Sequence, residues 1–538
     1  MPPDAAASAF EYIKPVDAGD SPPFVATPDM IRGTALSAPD RIAVKCEGRA
    51  ITWGDFDRRM NRVARALMAS GLAKGDKIAV LATNSIEYLE VFMGALRAGI
   101  CVVPLSTMGA VDALEGMLDD SDSRVFFLSR QFLELVAPAE NRLSKLVPGG
   151  RIAFDFEREG WADYEAWVGA QSDAPFRVEI EPEDDFNIIY SSGTTGLPKG
   201  ILHSHRLRSL LRDALAVFDF RPDTISLVST PIYSNTTLAG MLPTLQQGGT
   251  VVLMRKFDVV GFLELAQAER ATHAMLVPVQ YQRLLAHPDF DRYDLSSFKV
   301  KLSTSAPLRA HIKADCLKRW PGLLVEIYGL TEGGGACTLI ANLHPDKLHT
   351  VGQPGLGCVM KVIDENGNEL PPGQIGEIVG RNAMMMKGYY KQPGKTREMF
   401  WHDTDGVMYF RSGDMGRFDA DGFLELLDRR KDMVISGGFN VYPADIEVLL
   451  LKHPDVIDVA VIGIPSDQWG ESPLALVVRR EGAATSAEAI LDWANRQLGK
   501  TQRLVGVAFR ESLPRSTIGK IMKRELRAPF WEGRGSKI

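Results

Sequence analysis

Apolar positions along this chain recur with two periods. At helical spacing, Phe56, Met60, Val63 and Leu67 form one stripe behind Thr52, and Asp55 three residues on completes a capping-box signature, so a helix is expected to open there. Short apolar runs alternate with such stripes. "KIAVLA" (77 to 82), the amphipathic stretch Ile86 to Arg97 and "ICVVPL" (100 to 105) read as strand, helix, strand, a βαβ unit. The alternation resumes after the acid-rich "EIEPEDD" (179 to 185). "GILHSH" reads as a strand, and Leu207, Leu210, Leu211, Ala214, Leu215 and Phe218 as one face of a helix. "ISLVST", "TVVLM", "AMLV", "FKVKL" and "LLVEIY" then follow as strands between helical segments. Two doubly wound α/β subdomains account for this pattern most economically.

The texture changes from about residue 355, where Gly-punctuated β segments begin, with a hairpin-like Asn-Gly at 366 and 367. Behind the charged run "DRRKD" (428 to 432) a small α+β unit is expected: helix "PADIEVLLLKH", strands "VIDVAVIGI" and "PLALVV", helix "SAEAILDWANRQL". Neither an internal repeat nor a low-complexity tract interrupts the chain.

Composition narrows the class. A chain of 538 residues is too long for one core and suggests about three domains or subdomains. With 45% hydrophobic and 24% charged residues it is an ordinary globular composition, and a net charge of -7 that no Lys/Arg run overrides argues against a nucleic-acid partner. Cys46, Cys101, Cys316, Cys337 and Cys358 stand far apart without a CxxC pair, as expected of reduced thiols and not of a zinc site. The start "MPPDAAASAFEYIKPVD" has no basic segment before an apolar core, and no apolar run reaches spanning length, so a cytoplasmic protein without integral membrane contact is expected.

Candidate chemistry sits in four stretches. "YSSGTTGLPKG" (190 to 200) offers glycines, hydroxyls and a lysine behind an apolar run, suited to a polyphosphate or to a plain turn. It does not fit the Walker spacing, because Gly193 is followed five residues later by Pro198. "EIYGLTEGGG" (326 to 335) ends an apolar strand with an aromatic, a threonine and an acid. "YFRSGD" (409 to 414) carries a loop aspartate ahead of the arginine-rich joint, and "PRSTIGK" (514 to 520) places a lysine near the C-terminus. Taken singly, Tyr328 reads as core, Glu332 as a helix-start acid, Asp414 as a turn residue and Lys520 as a surface lysine. "GQPGLG" (352 to 357) has the wrong glycine order for a dinucleotide fingerprint.

In this order and at these distances, the four stretches resemble the acyl-adenylate-forming superfamily of AMP-binding enzymes, in its acyl-CoA synthetase or acid:CoA ligase branch, over about residues 30 to 526. The resemblance implies an α/β protein. Residues 1–428 would form a large adenylation domain of two α/β subdomains plus a β-barrel-like part, 429–431 a hinge, and 432–538 a small mobile C-terminal domain. It implies a phosphate loop at Thr194, Thr195, Gly196 and Lys199, an adenine site with Ser305, Ala306, Pro307 and Tyr328, and Thr331 beside the α-phosphate. Glu332 would be the carboxylate that helps hold Mg²⁺, Asp414 the ribose ligand and Arg429 a ribose or phosphate contact. Lys431 would be the hinge pivot and Lys520 the catalytic lysine, with Gly437 and Gly438 along the path of the CoA arm. Tyr233, Ser234, Gly329 and Gly334 are implied as the acyl pocket.

The implied substrates are ATP, coenzyme A and a small carboxylic acid, joined through an acyl-AMP. A separate carrier protein as acceptor is the alternative, and the chain ends 18 residues after Lys520, so a fused carrier domain is not expected. Two departures bear on substrate. Tyr233 and Ser234 stand where many relatives have an aromatic and a gating histidine, and Thr304, Ser305, Ala306, Pro307 replace the usual Gly-Gly-Ala-Pro. Gly333, Gly334 and Gly335 suggest room for a bulky acyl group. Which acid is used is not legible, and the oligomeric state is open, a homo-oligomer included.

Overall fold

The structure, a computed structural model, describes residues 23–107, 111–191, 199–436, 439–499, 502–516 and 519–532. Its contacts divide the chain into two compact units, one drawn from Met1–Val359 and Gly380–Phe410, the other from Met360–Val379 and Arg411–Ile538.

In the first unit the expected alternation becomes two sheets. Thr52 accepts from the Asp55 amide at 3.1 Å and opens the helix Trp53–Ala69, whose Phe56, Met60, Val63 and Leu67 are fully buried. Burying each is worth about 1.5–3 kcal/mol against exposure. The helix Ile86–Arg97 approaches it closely at Gly94, where a Cβ would stand 2.6 Å from that of Val63. This second helix is the crossover between the parallel strands Lys77–Leu81 and Cys101–Pro104. Both strands belong to an eight-stranded sheet that also takes in Ser123–Leu128, Asp185–Ser191, Lys199–Ser204 and Gly388–Tyr389.

The other sheet has nine strands. Its centre is parallel, with Thr250–Leu253, Ile225–Val228, His273–Leu276, Val300–Ser303 and Leu323–Gly329 side by side in that order. The N-terminal hairpin Ile42–Cys46 and Arg49–Thr52 joins this sheet against Thr250–Leu253, so the two α/β subdomains are interleaved in sequence. One core joins them: Val44 and Val251 from the nine-stranded sheet and Ile78 and Val102 from the eight-stranded one pack with the helices Trp53–Ala69, Ile86–Arg97 and Asn235–Gln246.

The second unit holds parts of the strands Val359–Ile363, Gly376–Arg381 and Met408–Phe418, neighbours in one sheet, with Leu424–Arg429 antiparallel to the last. It also holds the small α+β unit. There Val456–Ser466 pairs with Gly470–Arg479, and residues on opposite faces enter different cores. Val459 and Val461 meet Ile446, Leu450, Ile490 and Ala494 from the helices Pro443–Leu450 and Ala487–Asn495, while Ala460 and Ile462 meet Leu526 of the helix Lys523–Trp531. Both faces are covered, which explains why the strand reads as a continuous apolar run. The residues expected as a hinge, 429–431, lie inside this unit; packing and the expected hinge divide the chain differently. Among the described residues no helix is long and apolar enough to cross a membrane.

Candidate active site

In open parallel sheets ligand sites lie beyond the carboxyl ends of the strands. Val300–Ser303 and Leu323–Gly329 run parallel with Ser303 opposite Glu326, so Thr304–Pro307 and Leu330–Gly335 leave the sheet side by side. Three bonds fix their separation. Thr304 Oγ1 donates to the Ile327 carbonyl at 2.8 Å, the Leu308 amide donates to Glu326 Oε1 at 2.6 Å, and Glu326 forms a fully buried ion pair with Lys313. Burial raises the Glu326 carboxyl, and Lys313 opposes that shift. Tyr328 is half-buried near the end of its strand, just before Leu330–Gly335 begins, and not in the core. Ala306 is half-buried and Pro307 exposed. Ser305 holds φ at +80°, in the left-handed region that favours glycine, and its hydroxyl shares a hydrogen with Thr236 Oγ1 at 2.5 Å.

The Gly/Ser/Thr loop closes a hairpin, with Ser191 opposite Lys199 on the antiparallel strands Asp185–Ser191 and Lys199–Ser204. A P-loop would open a helix at this point. Thr194, Thr195 and Gly196 lie outside the described residues, but Lys199 does not. Its Nζ stands 4.9 Å from the centre of the Tyr389 ring, and the Tyr389 hydroxyl donates to Glu332 Oε1 at 3.0 Å. Glu332 belongs to a turn that leads into the strand Ala336–Ile340, and no helix starts there. Thr331, next to it, gives its carbonyl to His203 Nε2 at 2.7 Å. Tyr389 carries no motif in the sequence. It reaches the site because Gly388–Tyr389 pairs antiparallel with Lys199–Ser204, and a tyrosine pair in "MMMKGYYKQP" was the sole available signal.

Tyr233 and Ser234 are buried where the helix Asn235–Gln246 begins, and the Tyr233 hydroxyl has no partner among the described residues. The expected spaciousness of the glycine run is corrected. Gly333 and Gly334 have φ of +82° and +83°, and a Cβ there would stand 2.2 Å from the Met384 carbonyl oxygen and 2.5 Å from the Phe410 Cβ. These two glycines serve a tight turn whose Cβ side is filled by neighbours. Gly329 has ordinary space, its nearest neighbour being the Ala336 Cβ at 3.6 Å.

In the second unit, Asp414 lies within the long strand Met408–Phe418 instead of a turn, opposite Arg429 on Leu424–Arg429. Arg429 Nε is 3.0 Å from Asp414 Oδ1. The Ser516 amide donates to the Lys520 carbonyl at 2.8 Å. Burial lowers the Lys520 ammonium to about 8, Arg429 and Lys431 push the same way, and Asp414 opposes them. Distant in sequence, Lys520, Asp414 and Arg429 thus share one charged neighbourhood. Lys431 is exposed, and Gly437 and Gly438 lie outside the described residues.

Magnesium is ordinarily held by one or two carboxylates together with substrate phosphate oxygens. The half-buried Glu332, with one oxygen engaged by Tyr389 and Lys199 against the same ring, suits that donor set.

The chain is 34% identical over 501 residues to the feruloyl-CoA synthase of Amycolatopsis sp, covering 92% of this chain and 97% of that protein. It is 32% identical over 514 residues to a fatty acid:acyl-carrier-protein ligase, ScoC, of Streptomyces coeruleorubidus, covering 94% and 96%. Among solved structures it resembles ATP-bound MatB from Rhodopseudomonas palustris with a TM-score of 0.84 at 30% identity, over 94% of this chain and 99% of that one. The AMP-binding enzyme profile matches residues 31–390, and the profile of the AMP-binding enzyme C-terminal domain matches residues 445–520. A profile that spans both α/β sheets, followed in order by its C-terminal companion, makes this chain a member of the AMP-binding enzyme family.

Proposed function

We propose that this protein is an ATP-dependent carboxylic acid:CoA ligase acting through an acyl-AMP. In the first half-reaction a carboxylate oxygen of the acid bonds to the α-phosphorus of ATP and the bond to pyrophosphate breaks. In the second the CoA sulfur bonds to the acyl carbon, the thiol proton leaves, and the bond to AMP breaks. The observation that carries this reading is the meeting of Lys199, Tyr389 and Glu332 next to the segments Thr304–Pro307 and Leu330–Gly335 that leave adjacent parallel strands, a cation and a carboxylate at the carboxyl ends of those strands.

On this reading Tyr328 and the segment Ser305, Ala306, Pro307 hold adenine, and Thr194, Thr195, Gly196 and Lys199 hold the β- and γ-phosphates. Asp414 accepts from the ribose hydroxyls and Arg429 contacts ribose or phosphate. Thr331 lies beside the α-phosphate. Mg²⁺, held through Glu332, supplies charge neutralisation that lets one anion approach another. Lys520 adds a cation between the attacking carboxylate and the α-phosphate, a contact made mainly in the transition state. Rotation about Lys431 withdraws Lys520 for the second half-reaction and brings Gly437 and Gly438 to the pantetheine path. Tyr233, Ser234 and Gly329 line the acyl side.

Pyrophosphate release with a panel of carboxylic acids, with and without CoA, tests this. Release with an acid, and thioester formed only when CoA is added, is the expected result. No release with any acid overturns it. Acyl-AMP that passes to a carrier protein but not to CoA favours the second reading, which the similarity to a carrier-protein ligase supports.

A further inference from the structure

Arg208 is a buried cation near the site, with 1% of its surface exposed. It stands on the helix His205–Leu215, and its guanidinium lies 5.6 Å from the Phe186 ring centre. Among the described residues it forms no ion pair. Its Nε and Nη2 donate to Asn187 Oδ1 at 3.2 and 2.8 Å, Nη1 donates to Asn235 Oδ1 at 2.9 Å, and Nη2 donates to His203 Nδ1 at 2.9 Å. Every acceptor is neutral. Burying a cation without an anion is costly, and an apolar side chain at such a position is generally as stable or more so, so packing alone does not explain the arginine.

What the arginine does is orient His203. Guanidinium N–H groups only donate, and so does the Asn187 amide nitrogen, which faces the same ring atom at 3.2 Å because Asn187 Oδ1 is taken by Arg208. Nδ1 of His203 must therefore accept, and its Nε2 must carry the hydrogen. That hydrogen points at the Thr331 carbonyl, 2.7 Å away. Burial, with Arg208 second, holds the His203 imidazole well below its usual range, so it stays neutral and its tautomer stays fixed. On its other side the turn is held by the Met386 amide, which donates to the Glu332 carbonyl at 2.9 Å.

We infer that Arg208 and His203 are positioning residues for the Thr331–Glu332 turn, acting through a buried relay in which Arg208 fixes the histidine tautomer and the histidine fixes the Thr331 carbonyl. The inference rests on the acyl-adenylation reading above for what the turn does.

Two amide replacements separate the halves of the relay. His203→Asn places an amide oxygen where Nδ1 stands and still accepts from Arg208, but it is too short to reach Thr331. His203→Gln places an amide N–H where Nε2 stands and reaches the carbonyl. On the full chain, with pyrophosphate release as the assay, His203→Asn is expected to lower kcat/KM for MgATP about 10- to 100-fold, the loss that displacement of a catalytic group by about 1 Å brings. His203→Gln is expected to recover most of that loss, and neither should move the KM of the acid more than about threefold. Thermal midpoints of both variants are measured alongside. A structural role alone would lower the midpoints and leave the two variants with the same KM for MgATP, and that result overturns the inference, as does wild-type kinetics in both. If the wild-type protein releases no pyrophosphate with any acid, the adenylation reading falls. The relay is then judged by calorimetric MgATP affinity, where Gln must exceed Asn and equality sinks it.

Discussion

Asp414 and Arg429 face each other across two antiparallel strands, with Arg429 Nε 3.0 Å from Asp414 Oδ1. The carboxylate is thereby held in place by its neighbour strand before any nucleotide arrives, and side-chain ordering need not accompany binding. Asp414→Ala should raise the KM for ATP about 10- to 100-fold, as loss of charge-assisted hydrogen bonds of roughly 1.5 to 3 kcal/mol implies, and leave the KM for the acid nearly unchanged. A rise confined to the acid would refute the ribose assignment.

Lys520 supplies a pH dependence with a defined sign. Its ammonium, lowered to about 8 chiefly by burial, is the form that can offset negative charge. Below that value it is protonated, so kcat/KM for acyl-AMP formation should fall as pH rises through about 8. In Lys520→Arg the guanidinium stays charged and this alkaline limb should vanish; its persistence would place the titrating group elsewhere. Lys520→Ala should slow acyl-AMP formation about 10²-fold while supplied acyl-AMP and CoA still give thioester at a near-normal rate, which pre-steady-state measurement of both half-reactions decides.

Tyr389 holds one oxygen of Glu332 at 3.0 Å. Tyr389→Phe keeps the ring beside Lys199 and removes that hydrogen bond, so the Mg²⁺ concentration needed for half-maximal adenylation should rise, by about 10-fold if the contact is worth 1 to 1.5 kcal/mol. An unchanged Mg²⁺ titration would separate Glu332 from the metal.

Ser305 carries a stability test. At φ +80° a residue with a Cβ is strained by roughly 1–2 kcal/mol relative to glycine. Ser305→Ala keeps that strain and loses the bond to Thr236, whereas Ser305→Gly loses the bond and relieves the strain. Gly should therefore be more stable than Ala by about 1 kcal/mol in denaturant unfolding, and the reverse order would mean that the backbone at residue 305 stores no such strain.

Much of the local order was legible as a one-dimensional pattern, because a helix or a strand needs only its own periodicity and caps. Ile86 to Arg97 was expected and found with the same bounds, Thr52 caps its helix as its spacing to Asp55 implied, and the strands leading to Tyr328 and away from Lys199 fell where their apolar runs stood. The family resemblance likewise pointed to the two segments, 304–307 and 328–332, that leave adjacent strands. What folding in three dimensions decided is which of these pieces touch. Pairing of Ile42–Cys46 with Thr250–Leu253 depends on two distant apolar surfaces covering each other, and no local pattern encodes that choice. Tyr389 becomes a partner of Glu332 only through a two-residue strand pairing. Gly333 and Gly334 look like open space in a sequence, yet Met384 and Phe410 fill it. Arg208 reads as one more charge on an amphipathic helix, and its burial among Asn187, His203 and Asn235 follows from the packing of that helix against the strands Asp185–Ser191 and Lys199–Ser204 and the start of Asn235–Gln246. A side chain's neighbours across the fold are set by how apolar faces are shared between elements, a property of pairs of surfaces and not of any one stretch of chain.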